Sequence, residues 1–420
     1  MKQTKEDKGI TLIALIVSII ILLILSGISI SIMTTEGIIE KAKEAKNVTK
    51  IAKEQEEKEL AQLEANSKTE EAEYNGVKIP SGCVPISGNK ESTVIIDTNG
   101  NEWVWMEVPK KYTENCKTDE EIERALKEYA LPYSQEAISD NKNSYSDDWY
   151  AVEDNKIISR ENTDLTIEQK NLTNGCGLTY EEYYSLKHKM LNSIKENGGF
   201  WIGRFEAGDA TATEKNIARP VKKESDGKVV IKSSQIPYNY IACEKAEQLA
   251  KSLSFNNSIC SIPFGIQWDL VCKYLEGKDG LTINEINSDS RKIGNYANSS
   301  IKLNRGKYNI FPKVDNGVWK NSKENENNYV INSETNSDTK YNQLLTTGAS
   351  ENANTMNIYD LAGNLYEYTL EKTPSDDIKK AFVVRGGEYS GSGDWGSMSK
   401  RFYNSYGNIA DYVGFRVTMF

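Results

Sequence analysis

The chain has 420 residues, 38% of them hydrophobic and 27% charged, and its net charge is −10. This length allows two to three domains with a large core. Because nucleic-acid affinity depends on clustered lysine and arginine, and no basic block occurs after the first residues, the composition argues against nucleic acid as a partner. His188 is the single histidine and no CxxC pair occurs, which argues against a zinc site.

Six cysteines are scattered along the chain. Outside the membrane an even number allows disulfide bonds, but the sequence cannot assign the pairs. Cysteines spaced this widely can equally be free and buried. Both alternatives stay open for Cys83, Cys116, Cys176, Cys243, Cys260 and Cys272.

Residues 10–33 form an apolar segment without a single charge. At about 1.5 Å per residue, a helix of this length crosses a hydrocarbon core of roughly 30 Å. Lys2, Lys5 and Lys8 precede the segment, and Glu36 is the first charge after it. The positive-inside rule therefore predicts a transmembrane helix with a cytoplasmic N-terminus and the rest of the chain outside the cell.

Residues 34–73 are polar and favour a helix, with an i,i+4 pair formed by Glu54 and Lys58. We predict a helical stalk that continues the membrane helix. Its thin apolar stripe could pack on a partner helix or on the following domain, and the alternative is an exposed charged linker. The stripe consists of Ile38, Ala42, Ala45, Val48, Ala52, Leu60 and Leu63.

A large domain begins at residue 74, where proline, glycine and aromatic residues appear. Two apolar runs, 93–97 and 102–108, flank an Asn-Gly turn and predict a β-hairpin.

Two helices of this domain begin with capping boxes, at Thr118 and Thr179, and Gly198 ends the second helix. Residues 131–175 between them are rich in Asn, Asp and Ser and indicate a long irregular insertion. His188 lies on the second helix, where a structural role is expected.

Further along the chain, the residue pattern predicts a strand over 200–208 and helices at about 240–254 and 265–276. Residues 280–350 are polar and loop-rich. Strands are predicted at 381–385 and 412–419. Short strands, central helices and much irregular backbone indicate an α+β domain.

Five short motifs of this domain occur in one order: 200–207, 262–269, 357–368, 385–387 (RGG) and 414–416 (GFR). In this order they resemble the formylglycine-generating-enzyme (sulfatase-modifying factor) family. The resemblance implies a C-type-lectin-like fold over about residues 75–420.

The chemistry of that family needs residues that this chain lacks. Formylglycine formation uses two cysteines just after the Arg-Gly-Gly motif, because thiolates bind copper and attack the substrate. The last cysteine here is Cys272, and residues 388–392 are EYSGS. Iron enzymes of the same fold need several histidine ligands, and only His188 is present. We therefore predict that the protein is not an enzyme.

The segment between the last two motifs, residues 388–412, is rich in Tyr, Ser, Gly, Asn and Asp. It resembles the variable region of retroelement-diversified proteins with this fold. Antibody binding loops favour the same residues, since Tyr and Trp give rigid contact area while Ser, Gly and Asn give adaptable hydrogen bonds. The alternative is an inert surface loop. Predicted contact residues are Tyr389, Ser390, Ser392, Asp394, Trp395, Ser397, Tyr403, Asn404, Ser405, Tyr406, Asn408 and Asp411; predicted scaffold residues are Arg385, Gly386, Gly387, Gly414, Phe415 and Arg416.

The family resemblance also implies a calcium site. Its ligands would be Asp360 and Glu367 through carboxylates, and Gly363 and Leu365 through carbonyls. In the alternative, Asp360 caps a turn and Glu367 pairs with an arginine such as Arg385.

Residues 8–12 (KGITL) resemble a type IV prepilin leader. The resemblance implies cleavage after Gly9 and methylation of Ile10. The family usually has Glu at the fifth position after the cut, where this chain has Ala14. That departure puts filament assembly in doubt and leaves a simple anchor or a minor pilin-like subunit.

Together these inferences predict a surface-displayed, non-catalytic protein that binds an unknown protein or glycan and requires no cofactor. The alternatives are a minor pilin or pseudopilin subunit, which would have pilin-like partners, and an unrecognised enzyme of the same fold. The predicted segments are a leader (1–9), a transmembrane helix (10–33), a stalk (34–73) and the large domain (74–420), with an insertion at about 110–198 and a variable region at 385–417.

Overall fold

The computed structural model describes residues 35–68, 70–86, 92–134, 152–153, 156–157, 173–212, 227–311, 319–321, 329–332, 342–372, 381–405 and 409–420. The leader (1–9) and the predicted transmembrane segment (10–33) lie outside these residues, as does most of the insertion at 131–175. Within the described ranges, no helix is both long and apolar enough to cross a membrane.

Two helices begin at the capping residues that the sequence predicts, Thr118 and Thr179. The side chain of Thr118 accepts a hydrogen bond from the backbone of Glu121, and Thr179 forms a reciprocal capping box with Glu182. Gly198 ends its helix in the left-handed conformation, with φ 79°. The α-helices of the described residues are α1 (Thr35–Ala65), α2 (Asp119–Tyr129), α3 (Tyr180–Asn197), α4 (Cys243–Lys251), α5 (Gly265–Leu275) and α6 (Ile283–Asn287).

Most strands are short, as expected for an α+β domain with much irregular backbone. Along the described residues they are β1 (Ala72–Tyr74), β2 (Val77–Ile79), β3 (Cys83–Pro85), β4 (Val94–Asp97), β5 (Glu102–Glu107), β6 (Val152–Glu153), β7 (Lys156–Ile157), β8 (Gly199–Gly203), β9 (Gly208–Asp209), β10 (Val229–Val230), β11 (Ile236–Pro237), β12 (Cys260–Ser261), β13 (Ser300–Leu303), β14 (Lys307–Phe311), β15 (Lys320–Asn321), β16 (Tyr329–Asn332), β17 (Asn342–Leu345), β18 (Asn354–Thr355), β19 (Ile358–Tyr359), β20 (Tyr366–Lys372), β21 (Ala381–Arg385), β22 (Arg401–Ser405), β23 (Val413–Phe415) and β24 (Thr418–Met419).

A six-stranded antiparallel sheet, in the order β12-β24-β8-β5-β4-β3, forms one side of the core. The predicted hairpin is confirmed as β4 and β5, whose turn is held by the Asp97 carboxylate. Oδ1 of Asp97 accepts hydrogen bonds from the backbone N–H groups of Asn99 and Asn101, and Gly100 supplies a φ of 78°.

A second sheet, in the order β22-β21-β20-β23, carries the end of the chain. The sequence predicted one strand over 412–419, but the structure divides it. β23 lies parallel to β20 in this second sheet, whereas β24 belongs to the six-stranded sheet. The chain changes sheets at Arg416, whose guanidinium is buried between them. Arg416 donates to the Gly203 carbonyl of one sheet at 2.9 Å and to the Glu367 carboxylate of the other at 2.7 Å.

The second half of α1 packs on the domain, but not through the predicted apolar stripe. Lys58 contacts Glu102 of β5 at 2.7 Å, and Gln62 donates to the Thr98 carbonyl at 3.0 Å. The predicted pair of Lys58 with Glu54 is wrong, because Lys58 forms an ion pair with the buried carboxylate of Glu102 instead. The stripe residues Leu60 and Leu63 face solvent, so the packed face is a different one.

Candidate ligand-binding surface

The candidate surface is built on the segment between β21 and β22, residues 386–400, which we call the tip loop. Gly386 and Gly387 begin it with φ values of 89° and 79°, a conformation that favours glycine. A Cβ atom at Gly387 would also collide with the carbonyl oxygen of Gly396 across the loop. The backbone thus requires the two glycines of the Arg-Gly-Gly motif, as predicted for scaffold residues.

The outer part of the tip loop exposes several of the predicted contact residues. Ser390 and Asp394 are exposed, Ser392 is half-buried, and Trp395 is 67% exposed. Ser392 and Asp394 are hydrogen-bonded to each other.

Asn298, which the sequence analysis missed, fixes this exposed part from an earlier segment of the same chain. Its amide nitrogen donates to Ser392 Oγ at 2.9 Å and to Asp394 Oδ1 at 3.2 Å. Its amide oxygen accepts from the Gly393 backbone at 3.0 Å. The loop conformation therefore depends on a residue about a hundred positions earlier in the chain, and no local signal indicates it.

Trp395 begins a row of aromatic side chains. Its ring centroid lies 4.7 Å from that of Phe402, which lies 5.3 Å from that of Tyr366. The row continues to Tyr412 at 6.3 Å. Only the first ring is largely exposed, since Phe402 and Tyr412 are half-buried and Tyr366 is buried. The row thus supports the exposed indole from below.

Two predicted contact residues are buried instead, which makes them supports of the loop. Tyr389 is 2% exposed and donates to Asp411 Oδ2 at 2.5 Å. Burial, and after it the Asp411 carboxylate, raise the pKa of the Tyr389 hydroxyl, so it remains a donor. Ser397 is also buried and donates to the Asn287 carbonyl at 2.7 Å. Neither side chain is exposed at the surface of the loop, and Asp411 itself is half-buried.

The remaining predicted contact residues follow the tip loop. Tyr403, Asn404 and Ser405 belong to β22, whose backbone pairs with β21. Tyr406 and Asn408 lie outside the described residues.

Four charged side chains lie at the base of the tip loop, and we call them the charge quartet: Arg385, Arg401, Asp269 and Glu371. The two arginines end β21 and begin β22, directly opposite each other. Arg385 contacts Asp269 at 2.8 Å and Glu371 at 3.3 Å, and Arg401 contacts the same two carboxylates at 2.5 and 2.6 Å. All four side chains are at most 1% exposed. The predicted scaffold role of Arg385 is therefore confirmed, with Asp269 and Glu371 as its partners.

Both carboxylates of the predicted calcium site have hydrogen-bond partners within the protein. Arg416 engages both oxygens of Glu367, at 2.7 and 2.9 Å. The Leu365 backbone N–H donates to Glu206, while Asp360 Oδ2 accepts from the Gly348 backbone at 2.6 Å. Among the residues that the structure describes, no group of three or more metal-binding side chains has the arrangement of a metal site. The partner of Glu367 is thus Arg416 rather than Arg385, and the calcium site stays a prediction.

The carboxylates near Arg416 outnumber it, and their pKa values are raised. Burial raises the pKa of Asp360 to about 6 and that of Glu367 to about 7. Burial, together with the charges of Asp360 and Glu367, raises the pKa of Glu206 well above its usual value. Burial and mutual repulsion thus favour the binding of a proton among these carboxylates.

The fold and the tip loop define an α+β domain that presents a loop surface closed by paired arginines. Residues 304–419 match the family described as "Sulfatase-modifying factor enzyme 1-like domain". This match contains three of the five motifs (357–368, 385–387 and 414–416) and confirms the resemblance to the formylglycine-generating-enzyme family for this part of the chain.

Whole-chain comparisons add less. No curated protein matches the chain. A solved structure described as CarF is 13% identical over 76% of this chain and 85% of its own, with a TM-score of 0.25. Treponema denticola variable protein 1 is 13% identical over 78% of this chain and 86% of its own, with a TM-score of 0.21. Because both TM-scores are far below 0.5, neither likeness bears on the fold or the ligand of this chain.

Proposed function

We propose that this protein is a non-catalytic ligand-binding protein whose tip loop contacts a protein or glycan. The exposure of Trp395 is the observation that carries the proposal. Its side chain is 67% exposed, whereas every other tryptophan among the described residues is at most 7% exposed. An aromatic side chain held out in water forgoes the free energy of burial, which a binding partner would restore.

The surroundings of Trp395 suit a binding surface. Ser390, Ser392 and Asp394 supply hydroxyl and carboxylate groups from the same exposed part of the loop. The Gly396 and Trp395 backbone N–H groups both donate to the Ser392 carbonyl, at 2.7 and 3.1 Å. Binding to a loop already fixed in this way costs less conformational entropy than binding to a loose one.

The cysteines support the non-catalytic part of the proposal. No thiol follows Cys272 in the sequence, so none is available after the Arg-Gly-Gly motif. Cys272 itself is buried, and burial raises the pKa of its thiol to about 12. A buried, protonated thiol is a poor nucleophile and a poor copper ligand. We propose that the protein requires no cofactor.

We further propose that residues 10–33 anchor the chain in the membrane and that the domain is displayed on the cell surface. The uncharged segment and the preceding lysines support this part. A Gly9→Ala variant separates an anchor from a filament subunit, because an anchor needs no cleavage. Surface labelling of intact cells should detect equal amounts of the variant and the unchanged protein; loss of the variant from the surface would favour the pilin-like alternative.

Tolerance of variation distinguishes a binding surface from an inert or structural loop. We would display the full chain on cells and randomise Ser390, Ser392, Asp394 and Trp395, with lysozyme as the probe. A matched library would randomise the buried Tyr389 and Ser397. We expect the first library to remain folded and to yield lysozyme binders, and the second to lose folded protein. Unfolding of the first library, or its failure to yield binders, would overturn the proposal.

Diversification by a retroelement is a separate part of the proposal, supported by the composition of residues 388–412. It predicts a reverse-transcriptase gene beside this one, with a near-copy of the codons for 385–416 that differs at adenines. A genome region without that copy would remove diversification but leave the binding proposal unaffected.

A further inference from the structure

The sulfur atoms of Cys176 and Cys243 lie 2.9 Å apart, and both side chains are 1% exposed. Two sulfur atoms that are not bonded do not normally approach so closely. The sulfur–sulfur bond of a disulfide measures about 2.05 Å. A small movement of either side chain would therefore bring the two atoms to bonding distance.

The backbone on both sides of this contact is fixed. Cys176 lies in a tight turn before α3, where Asn174 Oδ1 accepts hydrogen bonds from the Cys176 and Leu178 backbone N–H groups at 2.9 and 3.0 Å. Cys243 is the first residue of α4. The two cysteines are brought together by the fold and not by a mobile segment.

We propose that Cys176 and Cys243 form a disulfide bond when the chain folds in contact with a small-molecule or protein disulfide. In this exchange, both thiols lose their protons, the new sulfur–sulfur bond forms, and the sulfur–sulfur bond of the donor breaks to give two thiols. The cysteines are the reductant and the donor disulfide is the oxidant, so no metal or oxygen is needed.

The timing of the exchange follows from burial. Burial, and then the hydrogen bond to Cys176, raise the pKa of the Cys243 thiol well above its usual value. Because the thiolate is the form that attacks a disulfide, the folded protein exchanges slowly. The bond is therefore made while the chain is still folding, and it is then protected from reduction.

The disulfide would join the end of the insertion to the domain beneath the strands that carry the tip loop. Cys176 lies 4.0 Å from the Thr369 carbonyl of β20, and a Cβ atom at Gly175 would meet the ring of Phe382 in β21. The linked residues are 67 positions apart. Closing a loop of that size in the unfolded chain lowers the unfolding equilibrium constant by a factor of about a thousand.

The test refolds the full chain in detergent from denaturant, in a buffer that contains reduced and oxidised glutathione. Free thiols are then alkylated under denaturing conditions, and the peptides are mapped by mass spectrometry. We expect a linked peptide pair with Cys176 and Cys243, and alkylation of the four other cysteines. Alkylation of both cysteines in natively refolded protein, or their pairing with other cysteines, would overturn the proposal.

Two variants provide the matched comparison. Cys176→Ala should abolish the linked peptide and make the denaturation midpoint insensitive to reductant. Cys272→Ala, which removes another buried thiol, should keep both the linked peptide and the reductant-dependent shift. If Cys176→Ala does not fold, the peptide map of the unchanged protein still shows whether Cys176 and Cys243 are linked. A midpoint of the unchanged protein that does not move on reduction would contradict the stabilising role.

Discussion

The charge quartet at the base of the tip loop can be broken by one isosteric substitution, Asp269→Asn. Each arginine of the quartet contacts both carboxylates, so this change leaves Arg385 and Arg401 to share the single charge of Glu371. The net charge of the buried cluster changes from zero to +1. Removing one partner from a buried ion pair costs about 3–5 kcal/mol, because the remaining charge is desolvated without compensation.

The magnitude is large compared with the usual stability of a domain, about 5–15 kcal/mol. Urea denaturation of the full chain in detergent, followed by circular dichroism, would measure the loss. Hydrogen exchange would show where the substitution acts. We expect exchange to speed up more in residues 386–400 than in the six-stranded sheet, because the quartet closes that loop.

A matched control lies on the same helix. Lys273 and Glu276 form a half-buried pair at 2.9 Å near the end of α5, and Lys273→Gln should cost about 0–1 kcal/mol. Adding Arg401→Met to the Asp269→Asn variant restores neutrality and should cost less than the sum of the two single changes. A loss from Asp269→Asn no larger than that from Lys273→Gln would refute the reasoning.

Three further predictions concern the tip loop and the buried carboxylates. Trp395→Ala should change the free energy of unfolding by less than about 0.5 kcal/mol but weaken a selected lysozyme binder about tenfold or more by biolayer interferometry; equal affinity would exclude the indole from contact. Tyr389→Phe should lower the free energy of unfolding by about 1–3 kcal/mol in urea, because the Asp411 carboxylate loses its donor; a neutral result would contradict the support role. Burial raises the pKa of Glu367 to about 7 and of Glu247 to about 8, so the folded state binds protons more tightly than the unfolded state. Stability should therefore fall as the pH rises from about 4.5 to 8, by up to about 1.4 kcal/mol per pH unit for each proton. Glu247→Gln should flatten the fall, and a rise over that range would be the wrong sign.

The local features of the fold could be predicted from the sequence because their causes are local. The capping residues Thr118 and Thr179 and the left-handed Gly198 follow from unsatisfied groups at helix ends. The hairpin before β5 follows from its turn residues. The arginines of the two closing motifs, Arg385 and Arg416, were expected to be buried and paired, and both are.

The partners of those side chains could not be predicted in the same way. Asp269 is 116 positions from Arg385, and Asn298 is 96 positions from Asp394. Composition indicates that a segment suits a surface, but it does not show which residues turn inward. Tyr389 has the residue type of a contact residue and is nevertheless buried, because Asp411 offers it an acceptor.

The strand content of the polar region at 280–350 was underestimated for a related reason. β13 pairs with β16, and β14 pairs with β15 and β17, through a segment whose polar residues had indicated loops. Ile301 and Leu303 alternate with the half-buried Lys302 in β13, which is the pattern of a strand with one face buried. Because β13 has only four residues, the polar residues before and after it hide this alternation in the sequence.

The charge quartet holds the two strands that flank the tip loop together. Like charges placed directly opposite in a sheet repel each other, so Arg385 and Arg401 would force β21 and β22 apart if they were alone. Asp269 and Glu371 each contact both arginines. Their negative charges offset the repulsion, so the two strands stay paired. The base of the loop is therefore closed by side chains outside residues 386–400, and Tyr389 and Ser397 add support from within it. The exposed positions between the arginines contribute little to this closure, and they are the positions at which a binding surface needs freedom to vary.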